Sequence, residues 1–149
     1  MSSRPRATKA PALPRCGASF LAMSDKEPTL GSVFAEALAV KDFSRVAELV
    51  DPAVDFRGLT PNRAWQASDP DELVSEVLRQ WFEESDVIEE LLSVETATFA
   101  DRERVTYSFR GHNDDGPFVV EQQAYLASEN GRITWMRVLC SGFRPDPQG

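Results

Sequence analysis

The chain has 149 residues, enough for one domain to bury about two-thirds of its unfolded surface and to fold without disulfides or a structural metal. Its apolar fraction of 42% and charged fraction of 27% are ordinary for a soluble globular protein, and no stretch reaches the ~20 apolar residues of a membrane helix. The net charge is −8, and residues 1–22 hold Arg4, Arg6, Lys9 and Arg15 without an acid, so the remainder is more acidic still; nucleic acid is thereby excluded as a partner, since its phosphates would be repelled.

Residues 1–23 show no hydrophobic period and carry Pro5, Pro11 and Pro14, which reads as a disordered tail. Met23-Ser-Asp-Lys-Glu-Pro28 also looks like an ordinary cytosolic start, so the residues before it read equally as an over-called start. Their Arg- and Ser-rich, acid-free composition faintly resembles a transit peptide. Cys16 and Cys140 stand in unrelated contexts and read as free thiols of a reducing compartment, so the expected location is cytoplasmic.

Residues 24–145 read as one domain. Thr29 can cap a helix whose apolar positions Leu30, Val33, Phe34, Ala37 and Leu38 form one stripe. Asp42 can cap a second helix, with Phe43, Val46, Leu49 and Val50 inward and Pro52 ending it. Val54-Asp-Phe-Arg57 alternates as a half-buried strand does. Gly58 to Ala67 reads as loop. Ser68-Asp-Pro-Asp-Glu72 is a cap signal, with Asp69 as N-cap, Pro70 in the first turn and Glu72 reaching back. The helix it starts buries Leu73, Val74, Val77, Leu78, Trp81 and Phe82. Four strands follow, near 89–99, 104–111, 118–127 and 132–143, separated by Asp-Gly and Asn-Gly turn signals. Residues 146–149 read as a loose tail. Helices first and a strand meander afterwards predict an α+β fold, with the helices on one face of a curved antiparallel sheet.

Three segments resemble a known family. Phe34-Ala-Glu-Ala-Leu-Ala-Val-Lys-Asp42 is similar to its first helix and the turn after it, Val54-Asp-Phe-Arg-Gly58 to its first strand, and Gly131-Arg-Ile-Thr-Trp-Met-Arg-Val-Leu139 to its last. The family is the nuclear transport factor two-like superfamily, which includes SnoaL-like and ketosteroid-isomerase-like proteins. The likeness spans residues 28–144 and implies three helices packed in a curved antiparallel sheet, a cone-shaped α+β barrel. Ketosteroid isomerases carry a carboxylate base, a tyrosine and a protonated aspartate inside the cone. The corresponding places here hold Phe56, Phe34 and Ala124, and none can move a proton, so the resemblance carries over no catalytic residue.

The expected function is therefore binding of a small, mostly apolar molecule, with no cofactor, no metal, no nucleic acid and no membrane. The expected walls are Phe34, Phe56, Trp65, Trp81, Tyr107 and Met136. Strand alternation puts Val120, Gln122 and Ala124 on one face, and the resemblance at Ala124 implies that this face is the interior one, with Gln122 as a polar anchor. One alternative is a cyclase- or isomerase-type enzyme using Asp55, Arg57 or Gln122; a one-residue slip of the first strand would turn Asp55 inward. Another is a homodimerisation domain with a filled interior. Tyr125, Trp135, Arg137 and Leu139 fall on the outer face of the sheet, and the resemblance implies sheet-to-sheet homodimers. His112 with Asp114 and Asp115 reads as a hairpin tip rather than a metal site. Cys140 reads as a structural thiol, and Glu83 to Glu90 as a solvated helix end.

Overall fold

The computed structural model describes residues 27–148. The readings made above for residues 1–23, Cys16 included, lie outside the described residues. Helix α1 (Leu30–Ala39) starts where two side chains cap each other: Thr29 Oγ1 accepts from Ser32 N, and Ser32 Oγ accepts from Thr29 N. Its buried stripe holds Phe34, Ala35, Ala37 and Leu38. Lys41 takes a φ of 56° in the turn that follows. Helix α2 (Phe43–Leu49) is capped by Asp42, whose carboxylate accepts from Arg45 N at 3.0 Å.

Strand β1 (Val50–Thr60) turns through Pro61 and Asn62 into β2 (Arg63–Ala67), with Thr60 facing Arg63. The expected loop at Gly58–Ala67 is thus most of a hairpin. Gly58 hid it from the sequence, because glycine lowers strand propensity. Its role is steric: a Cβ there would stand 2.7 Å from the Trp81 ring.

The third helix covers residues 70–81 in three pieces: α3 (Pro70–Glu72), a π-helical segment (Leu73–Leu78) and α4 (Arg79–Trp81). Asp69 Oδ1 accepts from Glu72 N at 2.7 Å. Glu72 reaches back past the cap to Ser68, accepting from its backbone N at 2.7 Å and its hydroxyl at 3.0 Å. The meander is β3 (Val87–Phe99), β4 (Arg102–Asn113), β5 (Gly116–Glu129) and β6 (Arg132–Cys140), with a short β7 (Arg144–Pro145) against β5. Asp146 N donates to the Pro117 carbonyl at 3.2 Å, so the backbone stays bonded past β7.

The sheet order is β2-β1-β6-β5-β4-β3. Every pair is antiparallel except β1 with β6, which is parallel and places Phe56 beside Met136. The fold is therefore α+β as expected, with a mixed rather than purely antiparallel curved sheet. Alternation along β4, β5 and β6 sends one face to the helices and the other outward. The core lies between the inner face and the helices. Glu103 on β4 accepts from Gly31 N at 3.2 Å and ties the start of α1 to the sheet, where a carboxylate complements the helix dipole. No helix among the described residues is long and apolar enough to cross a membrane.

Candidate functional site

The inner face brings together the residues expected to line the cone. Phe34, Phe56, Tyr107 and Met136 are fully buried, Gln122 is 1% exposed and Trp81 is 8% exposed. Trp65 alone of the set is half-buried. The rings pack against one another: Phe34 lies 6.4 Å from Tyr107, Phe56 5.9 Å from Trp81, and Trp65 stands edge-on to Trp81 at 6.2 Å. Such tilted and perpendicular contacts are the geometries aromatic quadrupoles favour. Ala124, at a place where ketosteroid isomerases hold an acid, is also fully buried.

One polar pair crosses this apolar interior. Tyr107 and Gln122 are register partners on β4 and β5, and the Tyr107 hydroxyl donates to Gln122 Oε1 at 2.6 Å. Burial pushes the Tyr107 hydroxyl well above its ordinary value of 10.0, and Cys140 adds to the shift. The phenol therefore keeps its proton and remains a donor. Gln122 Nε2 has no partner, and neither does the Trp81 indole N–H. The Trp65 indole N–H is satisfied by Thr60 Oγ1 at 2.9 Å, and the Arg63 guanidinium lies 3.7 Å above its ring.

The set Asp55, Arg57 and Gln122 is not brought together. Asp55 and Arg57 are exposed on the outer face, where Asp55 pairs with Arg137 at 3.2 Å; Gln122 points the other way. His112 sits at the end of β4 with Nδ1 3.1 Å from Glu89, and no three metal-binding side chains cluster among the described residues. Cys140 is a buried free thiol. Asp86, read as part of a solvated acidic run, is buried instead. It accepts from Glu83 N at 2.9 Å and from Asn113 Nδ2 at 3.0 Å, and it joins the end of the third helix to the β4–β5 hairpin. Nothing in Glu83–Glu90 distinguishes that aspartate from its neighbours, because both partners are brought to it by the fold.

The outer face has its own relief. Arg57, Leu59, Gln123, Tyr125, Arg137 and Leu139 line an open concavity of about 610 Å³. Beside it, Trp135 is held between the guanidiniums of Arg102 and Arg137, each 4.5 Å from its ring centre. Leu139 is 61% exposed. This outer concavity includes none of Phe34, Tyr107, Gln122 or Met136. The inside of the cone is lined by packed rings.

No family model and no curated protein matches the sequence. Solved structures match in shape. A protein from Catenulispora acidiphila with a ketosteroid-isomerase-like fold, in complex with trimethylamine, is 15% identical with a TM-score of 0.59, over 78% of this chain and 88% of that one. An NTF2-like protein from Burkholderia thailandensis is 16% identical with a TM-score of 0.57, over 75% and 88%. A candidate SnoaL-like polyketide cyclase from Mesorhizobium loti is 18% identical with a TM-score of 0.55, over 73% and 94%. At these identities the likeness carries the fold alone: the chain has the NTF2-like cone fold across most of its length. The same fold serves proteins with different activities, so function must be argued from side chains.

Proposed function

We propose that this protein binds a small, mostly apolar molecule inside the cone, without acid–base chemistry of its own. The observation that carries the reading is the amide of Gln122, buried among aromatic rings with its nitrogen unpartnered. A buried polar group without a partner costs about 1–3 kcal/mol, so a ligand that satisfies it gains that much over an apolar one. Apolar contact supplies the remainder, at about 25 cal/mol per Å² before the costs of association. Trp65 borders solvent and marks the way in. Asp55 and Arg57 face away from this interior, which favours a binder over the cyclase or isomerase reading.

The test uses a Trp135→Phe background, so that emission comes from Trp65 and Trp81 alone. Small hydrophobic ketones and hydrocarbons should shift or quench that emission saturably. Ala124→Leu, which adds bulk between Val105 and Val138, should abolish the response while circular dichroism stays native. If no small molecule perturbs the emission, the interior is filled and the protein is a dimerisation domain.

The assembly that goes with this reading is a homodimer through the outer sheet face. Trp135, Leu139 and the concavity beside them form an apolar surface of the kind that partners cover.

A further inference from the structure

Strand register sorts the floor of the outer concavity into two rows. The first runs across β2, β1, β6 and β5 as Gln66, Arg57, Arg137 and Tyr125. The second, two residues away along each strand and so on the same face, is Ala64, Leu59, Leu139 and Gln123. All eight line the concavity. Ala64, Leu59 and Leu139 are exposed, and three strands side by side make an apolar strip about 10 Å wide. One end of the concavity is therefore cationic and the other apolar.

At the cationic end two guanidiniums converge on one carboxylate oxygen. Asp55 Oδ1 lies 3.2 Å from Arg137 Nη1 and 4.0 Å from Arg57 Nε. Arg137 is pinned: Nη1 donates to the carbonyls of Asp55 and Met136 at 2.9 and 3.0 Å, and Nη2 donates to Asp55 Oδ2 at 3.3 Å. Arg57 is not. Its separation from Asp55 is too long for a hydrogen bond, so its planar fork of donors is open to solvent. Two positive charges against one negative leave one unit of positive charge here. Glu121 lies two residues beyond Gln123 on β5, past the apolar row, so an anion is attracted at the arginine end and repelled at the other.

We propose that the outer concavity is a second binding site, for a flat apolar molecule carrying a single carboxylate. The carboxylate pairs with the Arg57 fork, backed by Arg137, and the rings lie over Ala64, Leu59 and Leu139. The volume of about 610 Å³ is that of a small-molecule site, and the one unpaired positive charge matches a monoanion. Arg57, Leu59 and Leu139 face away from the cone interior, so this site stands whether or not the interior binds a ligand.

Three naphthalene derivatives separate the possibilities: 2-naphthoate, its neutral analogue 2-acetylnaphthalene, and 2-naphthyl phosphate. A second copy seated on this face would cover the concavity, so thermophoresis uses the full chain at about 1 µM, below the range expected for the dimer. The naphthoate should bind about tenfold more tightly than the ketone, and the preference should shrink as salt is raised. Arg57→Gln should erase the preference and Asp55→Asn should enlarge it. Leu139→Ser should weaken acid and ketone alike. All three positions are exposed, and circular dichroism checks that each variant is folded. The comparison is repeated in Ala124→Leu, whose filled interior removes any ligand bound inside the cone; naphthoate binding should persist there. If that variant fails to fold, Arg57→Gln still decides.

Equal binding of acid and ketone overturns the site. Loss of naphthoate binding in folded Ala124→Leu overturns it too and places the acid inside the cone. Tightest binding of the phosphate, lost in Arg57→Gln, overturns the carboxylate assignment. Binding of none of the three overturns the proposal, and interior binding is then decided by its own titration.

Discussion

At the residue scale, the interior depends on one pair whose members need each other. Tyr107→Phe strands the amide oxygen of Gln122, and Gln122→Leu strands the phenol. Each should destabilise the fold by about 1–3 kcal/mol in urea unfolding, and the double change should cost less than the sum of the two. The phenol also predicts an alkaline limit. Its folded value is raised above 10.0, so its contribution to stability is fully present below about pH 10 and is lost as the pH climbs toward the folded value. Tyr107→Phe should flatten that alkaline decline in thermal melts. Strand alternation made the shared face of Val120, Gln122 and Ala124 legible, and the resemblance at Ala124 implied that this face is the inner one. The hairpin turn also fixes the partner of Gln122. The tip of the β4–β5 hairpin is Asp114–Asp115, and six steps back from Asn113 and six on from Gly116 reach Tyr107 and Gln122. That the Trp81 indole nitrogen lacks a partner was not legible, because it follows from where β1 passes beneath the third helix.

At the element scale, the cap of the third helix places an aromatic wall. Asp69 holds the first turn, and the chain then runs through the π-helical segment before presenting Trp81 to Gly58. Asp69→Ala should cost about 1 kcal/mol of stability. Because the helix ends in Trp81, it should also shift tryptophan emission, which a purely local loss would leave unchanged. The cap and the buried positions were legible as residue types at fixed spacing. The π-helical segment was not. Leu73, Val77 and Leu78 suit an α-helical stripe as well as a wider turn, and the choice is made by what they pack against. The β1–β2 hairpin was missed for a related reason. Gly58 reads as a breaker in isolation, yet its missing side chain is what admits the Trp81 ring.

At the scale of the whole molecule, charge is divided between two sides. The helices expose Glu36, Asp42, Glu48, Asp71 and Glu76, while Arg57, Arg137 and Arg104 lie in one cross-strand row with Tyr125 on the outer sheet face. The same face also carries Asp55, which pairs with Arg137, and it holds Trp135 and Leu139. Wild-type protein should sediment as a dimer at about tens of micromolar, a scale suited to modest interfaces. Trp135→Glu should yield a folded monomer, since Arg102 and Arg137 flank the new carboxylate and receive it. A monomeric wild type would remove the dimer proposal. The element order and the cone were legible because helices and strands announce themselves by period. The parallel pairing of β1 with β6 was not, because no local pattern states which distant strand will be a neighbour.

That pairing also sets the order in which the protein can assemble. Arg137 on β6 bonds to the carbonyl of Asp55 on β1 across a sequence separation of 82 residues. β6 stands between β1 and β5, so the β1–β2 hairpin joins the meander only through the last long strand to be made. Until β6 arrives, the hairpin has no sheet to extend. A topology of this kind closes its largest loop late and folds slowly relative to its size. The meander from β3 to β6 is therefore the part that can form first, and the early chain waits for it.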